Sequence, residues 1–475
     1  MLIKSGSRKK VVLIESQSPG HHVFSMVLLP RIGIILLGTI LRNMGYDVTI
    51  IVENFHGIDW KKIQEADIVC ISLITCTSIG GYKIAKRCRE MGKTVIIGGS
   101  HPTFMAEEAA QYADYVCIGE AEWSFPELVN AILRNDSNPK DVNGIAYKMD
   151  ELLIKTKPSR SVTSQDLNNF PFPDFSLIYG NPKMKITPIV SSRGCPHSCD
   201  FCSVIVMFGR KMRYRNEDNV FEEIKDQKPR HIFFYDDNFT INKERTWNIL
   251  TRIMSLPKNK RPTWSAQVDV GIASDKDLIR FMGKSGCEYV YVGFESINQK
   301  TLEAYNKKQD IGKIKRCIEA FHKNGINIHG MFVFDPKNDN SDIIDETCRF
   351  VEDTKIETVQ FLNLTPLPGT PLWQREEKNL LTRDWSLFDA HHTVLEAQKM
   401  TTLNMQEETI NAMKRFYSLS RVWSLYREGN KLAARFRMLG WYIVKKWERD
   451  EKGNNKYLEF LKLRSMFLDE FRIKK

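Results

Sequence analysis

Apolar and polar positions along the chain change period several times. Over residues 1–135, short apolar runs alternate with longer stretches of helical period. KKVVLIE reads as a strand, PRIGIILLGTILRNMG as a helix ending at Gly45, and YDVTIIVE and ADIVCISLI as strands. A helix through YKIAKRCREMG, then TVIIGG and a short YVCIG, continue the alternation. Unbroken apolar strands separated by helices predict a parallel sheet covered on both faces. Ligands of such sheets sit beyond the strand carboxyl ends, which here are residues 16–22, 72–78, 98–103 and 119–125.

Residues 136–185 read as a connector holding VNGIAYK and the proline-rich NNFPFPDF, a packed strap rather than a loose tether. A second alternation fills 186–383: ITPIVSS, HIFFYDD, TWSAQVD, YVYVGFES, INIHGMFVFD and TVQFLNLTPL. Six strands with helical stretches between most of them fit a partial (β/α)6 barrel, whose active site would lie at the strand C-termini. From 384 to 475 the pattern turns helical and rich in Lys, Arg and aromatics, with LGWYIVKKWERD and YLEFLKLRSMFLDEFRIKK amphipathic. The expected fold is α/β: a Rossmann-like parallel sheet, a connector, a partial barrel and a C-terminal helical region. The last region reads first as a cap on the barrel and second as a surface for a membrane.

Composition changes this picture little. The 475 residues are 42% hydrophobic and 27% charged, ordinary for a soluble globular protein. A net charge of +11 is spread along the chain and selects no partner by itself. VVLIES near the N-terminus is too short for a secretory signal. Residues 23–41 resemble a membrane span in composition, but Pro30 and Arg31 sit at their centre, so they read as a loop entering a buried helix. Ten scattered cysteines suit a reducing cytoplasm better than a disulfide framework.

Three of those cysteines are not scattered. In RGCPHSCDFC, Cys195, Cys199 and Cys202 follow C-x-x-x-C-x-x-C spacing just after the first barrel strand. A structural zinc site wants four ligands, and His197 is only two residues from each neighbouring cysteine. A four-iron cluster normally takes four thiolates, so three would leave one iron open to an outside ligand. Spacing favours the cluster over zinc, and both over a metal-free loop.

The stretch also resembles the signature of radical S-adenosylmethionine (SAM) enzymes, with Phe201 before the last cysteine. The resemblance extends through FFYDDNF, YVGFES, INIHGMFVFD and FLNLTPLPGTPLW in barrel order. It implies a [4Fe–4S] cluster on Cys195, Cys199 and Cys202, with SAM on its open iron and a deoxyadenosyl radical that abstracts hydrogen. It implies SAM contacts from Phe201, Tyr235, Asp236, Asp237, Gln267, Glu295, Ser296, Met331 and Leu364. Six of them have a plainer reading: Asp236 and Asp237 as a turn or helix cap, Glu295 and Ser296 as a cap, Gln267 as a core amide, Phe201 as core packing.

The first domain resembles the cobalamin-binding-like domain that precedes this barrel in one radical SAM class. That class includes hopanoid methylases, the anaerobic magnesium-protoporphyrin cyclase and natural-product methyltransferases. Thr75, Thr77, Ser78, Gly98, Gly99, Ser100, Gly119 and Glu120 are the implied cobalamin contacts, although small residues there also suit sheet packing. The D-x-H-x-x-G motif is absent; His21 and His22 in ESQSPGHHVFS do not reproduce it. The remaining cysteines show no second cluster spacing, which argues against a nucleic-acid substrate. Cys70 and Cys117 sit mid-strand and read as core residues.

The leading expectation is cobalamin-dependent methylation of an unactivated carbon. The alternatives are a non-methylating radical cyclase, rearrangement or carbon–carbon coupling on a lipid or tetrapyrrole-like molecule, and a metal-stapled binding protein without turnover. The first two would require a flavodoxin- or ferredoxin-type electron donor. His391 and His392 in DWSLFDAHHTVL are candidates for the substrate cavity, with a helix-cap role as the plainer reading.

Overall fold

The computed structural model describes residues 8–17, 29–134, 137–450 and 454–473. These form two compact units: one takes residues up to 184 together with 203–215, the other 185–202 and 216 onward.

In the first unit, β1 (Lys10–Glu15), β2 (Asp47–Val52), β3 (Ile68–Ser72), β4 (Thr94–Gly98) and β5 (Tyr115–Cys117) pair in parallel in the order β2-β1-β3-β4-β5. Alternate side chains serve opposite faces. Val11, Leu13, Ile68 and Cys70 join one buried cluster, and Val12, Ile14, Val69 and Ile71 join another. Both faces are therefore apolar, which is why these strands read as unbroken hydrophobic runs. Cys70 and Cys117 are buried in the first cluster, as core residues. Helix α1 (Ile32–Asn43) follows β1, and Gly45 at φ +96° donates its N–H to Arg42 O to close it. Strand order reverses between β1 and β3, the topological switch point of such a sheet.

The sheet does not stop at β5. β6 (Ile145–Met149) and β7 (Leu152–Lys155) extend it as an antiparallel hairpin, so residues read as connector are strands. The turn carries no glycine; Asp150 supplies the left-handed conformation at φ +54°.

The second unit holds six parallel strands in chain order: β8 (Thr187–Ile189), β9 (His231–Phe234), β10 (Thr263–Val268), β11 (Cys287–Glu295), β12 (Asn327–Phe334) and β13 (Thr358–Asn363). Sequential parallel pairing with helices between is the partial barrel the pattern predicts. One face of the strands carries Ile189, Phe234, Ala266, Val292, Phe332 and Phe361 into a single large core. The alternate face places Gln267, Tyr291, His329 and Thr358 in one register row, and Gly293, Met331 and Gln360 in the next. The barrel is followed by α2 (Thr402–Phe416), α3 (Leu419–Arg427), α4 (Lys431–Glu448) and α5 (Asn454–Ile473).

Candidate active site

The cysteine loop leaves the C-terminal end of β8, and a buried carboxylate fixes its entry. Asp236, 1% exposed, accepts from Ser191 N at 2.6 Å and Ser192 N at 2.9 Å, and also from Ser191 Oγ. Arg245 donates to Ser191 Oγ at 3.0 Å and to Ser191 O at 2.8 Å, and Gln267 Nε2 donates to Asp236 O at 3.2 Å. The exits of β8, β9 and β10 are thus tied together. The Asp236 carboxylate accepts from the chain at both oxygens.

Five further contacts hold the loop itself. His197 Nε2 lies 3.1 Å from Asp269 Oδ2, just past β10. Asn306 Nδ2 donates to Ser198 Oγ at 2.7 Å. Arg375 donates to Asp200 Oδ2 at 2.8 Å, and Leu372 N donates to Asp200 O at 3.0 Å. Phe201 packs edge-on against buried Tyr305, ring centroids 5.2 Å apart. Tyr305, Val333, Leu364 and Leu372 form a small apolar cluster with Phe201 against it, which brings Phe201 and Leu364 together. Contacts from this many barrel exits pre-organise the loop.

His197 is therefore engaged with a carboxylate and is no companion ligand to the thiols. Burial alone would raise the Asp269 carboxyl, but hydrogen bonds from His197 and Asn238 hold it below the usual range. Among the described residues, no three His, Cys, Asp or Glu are arranged to hold a single metal ion. The donors on the loop are three cysteine thiols, with Cys199 buried and Cys195 and Cys202 half-buried. Burial raises the Cys195 and Cys199 thiols above their ordinary value, and the Lys307 cation opposes this at both. Soft thiolates without a hard fourth ligand suit an iron–sulfur cluster rather than zinc.

Lys307 is a residue that sequence reasoning passed over. Its Nζ lies 2.8 Å from Glu295 Oε1. Burial acts to lower its pKa, but the Glu295 carboxylate and the neighbouring Cys199 and Cys202 outweigh it, and the amine is held above its ordinary value. Glu295 itself stands at φ +61° where β11 slips register between Gly293 and Glu295. A Cβ on Gly293 would meet Glu295 Oε1 at 2.5 Å, so glycine is needed for the carboxylate to fold back. A non-glycine residue held left-handed costs on the order of 1–3 kcal/mol and clusters at functional positions. Ser296 Oγ accepts from Asn298 N at 3.0 Å in the following turn, as a turn residue would. Tyr235 and Asp237 are half-buried at the β9 exit, and Met331 is half-buried in β12.

His391 and His392 cap no helix. Both are buried beside the end of β13: Asn363 N donates to Ala390 O at 2.7 Å, and Gln406 Nε2 donates to His391 O at 3.0 Å. His392 Nδ1 sits 3.0 Å from Asp389 Oδ1, and both rings meet Trp447 edge-on. Burial lowers the His391 pKa, which keeps its ring neutral near pH 7.

In the first unit the implied cobalamin contacts gather at the ends of β3, β4 and β5. Several are already used locally. Thr77 Oγ1 accepts from Ile74 N at 3.1 Å, Ser78 Oγ donates to Thr75 O at 2.8 Å, and Glu120 pairs with Arg213. Gly99, at φ +112°, approaches β3 so closely that a Cβ would lie 2.2 Å from Leu73 O. Gly119, at φ +75°, has nothing within 4 Å of that position. Gly98, Gly99, Ser100 and Gly119 are all partly exposed, so a shelf of small residues lies where sheets of this order receive ligands. Such a shelf fits a broad, flat cofactor. His21 and His22 lie outside the described residues.

Comparison with known proteins bears on both units. The Radical SAM superfamily matches residues 189–351, across β8–β12 and the cysteine loop.

The chain is a radical SAM enzyme.

The B12 binding domain family matches residues 27–129, so the enzyme carries a B12-binding domain ahead of its radical SAM domain. The enzyme is 28% identical over 428 residues to bacteriochlorophyllide d C-12(1)-methyltransferase of Chlorobaculum tepidum, covering 88% of this chain and 89% of that one. It is 24% identical over 377 residues to the anaerobic magnesium-protoporphyrin IX monomethyl ester cyclase of Cereibacter sphaeroides, covering 75% of this chain and 61% of that one. Its fold is that of the cobalamin-dependent SAM radical enzyme OxsB, with TM-score 0.69 at 16% identity over 96% of this chain and 75% of that one. The radical SAM domain implies a [4Fe–4S] cluster and SAM, and the B12-binding domain implies cobalamin.

Proposed function

We propose that the enzyme methylates a poorly nucleophilic carbon of a small molecule, using SAM and cobalamin. The observation that carries this reading is the pairing, in one chain, of the pinned three-thiol loop with a switch-point sheet whose strand ends form a small-residue shelf. The relative named as a methyltransferase, which matches most of this chain, supports it.

Cys195, Cys199 and Cys202 would hold the cluster, and Lys307 with Glu295 would set the charge beside it. When bound, the cluster supplies an electron for SAM cleavage and cobalamin supplies a methyl carrier. Phe201, Leu364 and Met331 would form the apolar part of the SAM site, and Tyr235, Asp237, Gln267 and Ser296 the polar part. Asp236 would position the loop without touching SAM. Gly98, Gly99, Ser100 and Gly119 would let a corrin approach the backbone, with Thr75, Thr77, Ser78 and Glu120 at its edge. Buried His391 and His392 would support the rim beside β13. A flavodoxin- or ferredoxin-type protein would deliver electrons.

The relative named as a cyclase supports a second reading, in which the radical chemistry ends without methyl transfer. Anaerobic reconstitution with cobalamin, followed by corrin absorption and cobalt analysis, separates the two. Stoichiometric cobalamin, and methyl label carried from SAM to the bound corrin, are expected. A protein that loads iron fully but retains no cobalamin would remove the methylation reading and leave the cyclase-like one.

A further inference from the structure

We propose that the α3–α4 hairpin docks on an anionic phospholipid surface. Helices α3 and α4 pack against each other across a turn at residues 428–430, where Gly429 stands at φ +83°. One face of α4 is committed to the protein. Ala433, Ala434, Arg437, Gly440, Ile443, Val444 and Trp447 are buried. Arg437 donates to Glu357 O at 2.9 Å and Ile356 O at 2.7 Å beside the start of β13, and Trp447 reaches His391 beside its end. A Cβ on Gly440 would collide with the Tyr417 ring at 2.3 Å. The rotation of α4 about its axis is therefore fixed, and its other face is fixed as the outer one.

That outer face is apolar where a water-facing helix would be polar. Leu432, Phe436, Met438, Leu439 and Tyr442 are all exposed, and α3 adds Leu419, Trp423 and Tyr426. Exposure runs from 37% at Leu432 to 59% at Trp423. Phe436 is the exception in part, because one edge of its ring meets Tyr289 at 5.0 Å. So many large side chains left in water on one hairpin mark an interaction surface.

The charges between them choose the partner. Residues 419–449 contain eight Lys or Arg and two Glu, a net charge of +6. Glu448 is already paired with Lys414 and Lys445. Lys431 and Arg435 lie one helical turn apart, Met438 and Leu439 follow one turn beyond Arg435, and Lys446 Nζ stands 4.8 Å above the Tyr442 ring. Basic residues interleaved with Trp, Tyr and aliphatic side chains match the headgroup layer, where apolar bodies sink and cationic tips stay at the phosphates. A second copy of this face would set cation against cation. No described helix is long and apolar enough to cross a membrane, so the contact lies on the surface.

The test is cosedimentation of the reconstituted full chain with phosphatidylcholine vesicles, with and without phosphatidylglycerol. Binding to the anionic vesicles only, weakening as salt rises, is expected. K431Q/R435Q should bind about thirtyfold more weakly, at about 1 kcal/mol for each basic side chain lost from the surface. W423S/Y426S should lose binding while its iron content and thermal melt match the parent. Absence of binding to anionic vesicles, equal binding to neutral ones, or a dimer abolished by W423S/Y426S in place of lipid binding would overturn the proposal. The measurement needs no substrate or turnover, so it stands apart from the methylation reading.

Discussion

Asp236 ties the exit of β8 to that of β9 through its buried carboxylate. Replacing it by alanine removes the acceptor for Ser191 N, Ser192 N and Ser191 Oγ, all buried. Each buried N–H left without a partner costs about 1–3 kcal/mol, and the buried Ser191 hydroxyl loses its acceptor as well. Asp236→Ala should therefore destabilise the iron-free protein by about 3–6 kcal/mol. Asp236→Asn keeps one oxygen for the two backbone donors and should cost about 1–2 kcal/mol. The assay is anaerobic urea unfolding of both variants followed through the second unit's tryptophans, with iron content after reconstitution measured beside it. Alanine should lower both stability and iron loading, and asparagine should retain most of each. If Asp236→Ala unfolds within about 0.5 kcal/mol of the parent but loses SAM affinity, the side chain faces the ligand and the tether argument is wrong.

Two other perturbations test separate parts of the account. Burial pushes the His329 imidazole down to about 4, from an ordinary 6.5. The unfolded chain therefore takes the proton first: the stability is whole above about pH 6.5 and is lost as pH falls towards 4, by about 3 kcal/mol in all. His329→Gln should remove that slope, so the gap between parent and variant should narrow by about this amount between pH 7 and pH 4 in urea titrations; an unchanged gap would mean that the ring is not held neutral. In the first unit, Gly99→Ala places a methyl 2.2 Å from Leu73 O and should destabilise by more than about 2 kcal/mol in thermal unfolding. Gly119→Ala meets no atom, so it should cost only about 1 kcal/mol of backbone strain, with any larger effect appearing in cobalamin affinity.

Much of this architecture was legible because hydrophobic period carries layer information. Residues 11–14 (VVLI) and 68–71 (IVCI) are apolar at every position because both faces of their sheet are covered, and that alone announced a parallel sheet. What escaped was set by contacts between residues distant in sequence. The β6–β7 hairpin hid inside a presumed connector because its turn, MDEL, uses Asp150 where glycine or asparagine would have signalled a reversal. Lys307 belongs to no recognisable motif, and only folding places its amine against Glu295 and beside the thiols. His197 could be dismissed as a ligand on spacing, but its partner Asp269 lies 72 residues away and no local pattern names it. Asp236 and Asp237 are adjacent, yet only coordinates separate the buried tether from its half-buried neighbour.

The central claim is that the loop of Cys195, Cys199 and Cys202 carries the redox centre that opens SAM. Its most direct measurement is 5′-deoxyadenosine formed by anaerobically reconstituted, reduced enzyme in the presence of SAM, with C195A/C199A/C202A beside it. The account predicts 5′-deoxyadenosine from the parent, and neither the brown chromophore nor the product from the variant. An iron-loaded parent that forms no 5′-deoxyadenosine, or a triple variant that still forms it, would contradict the account.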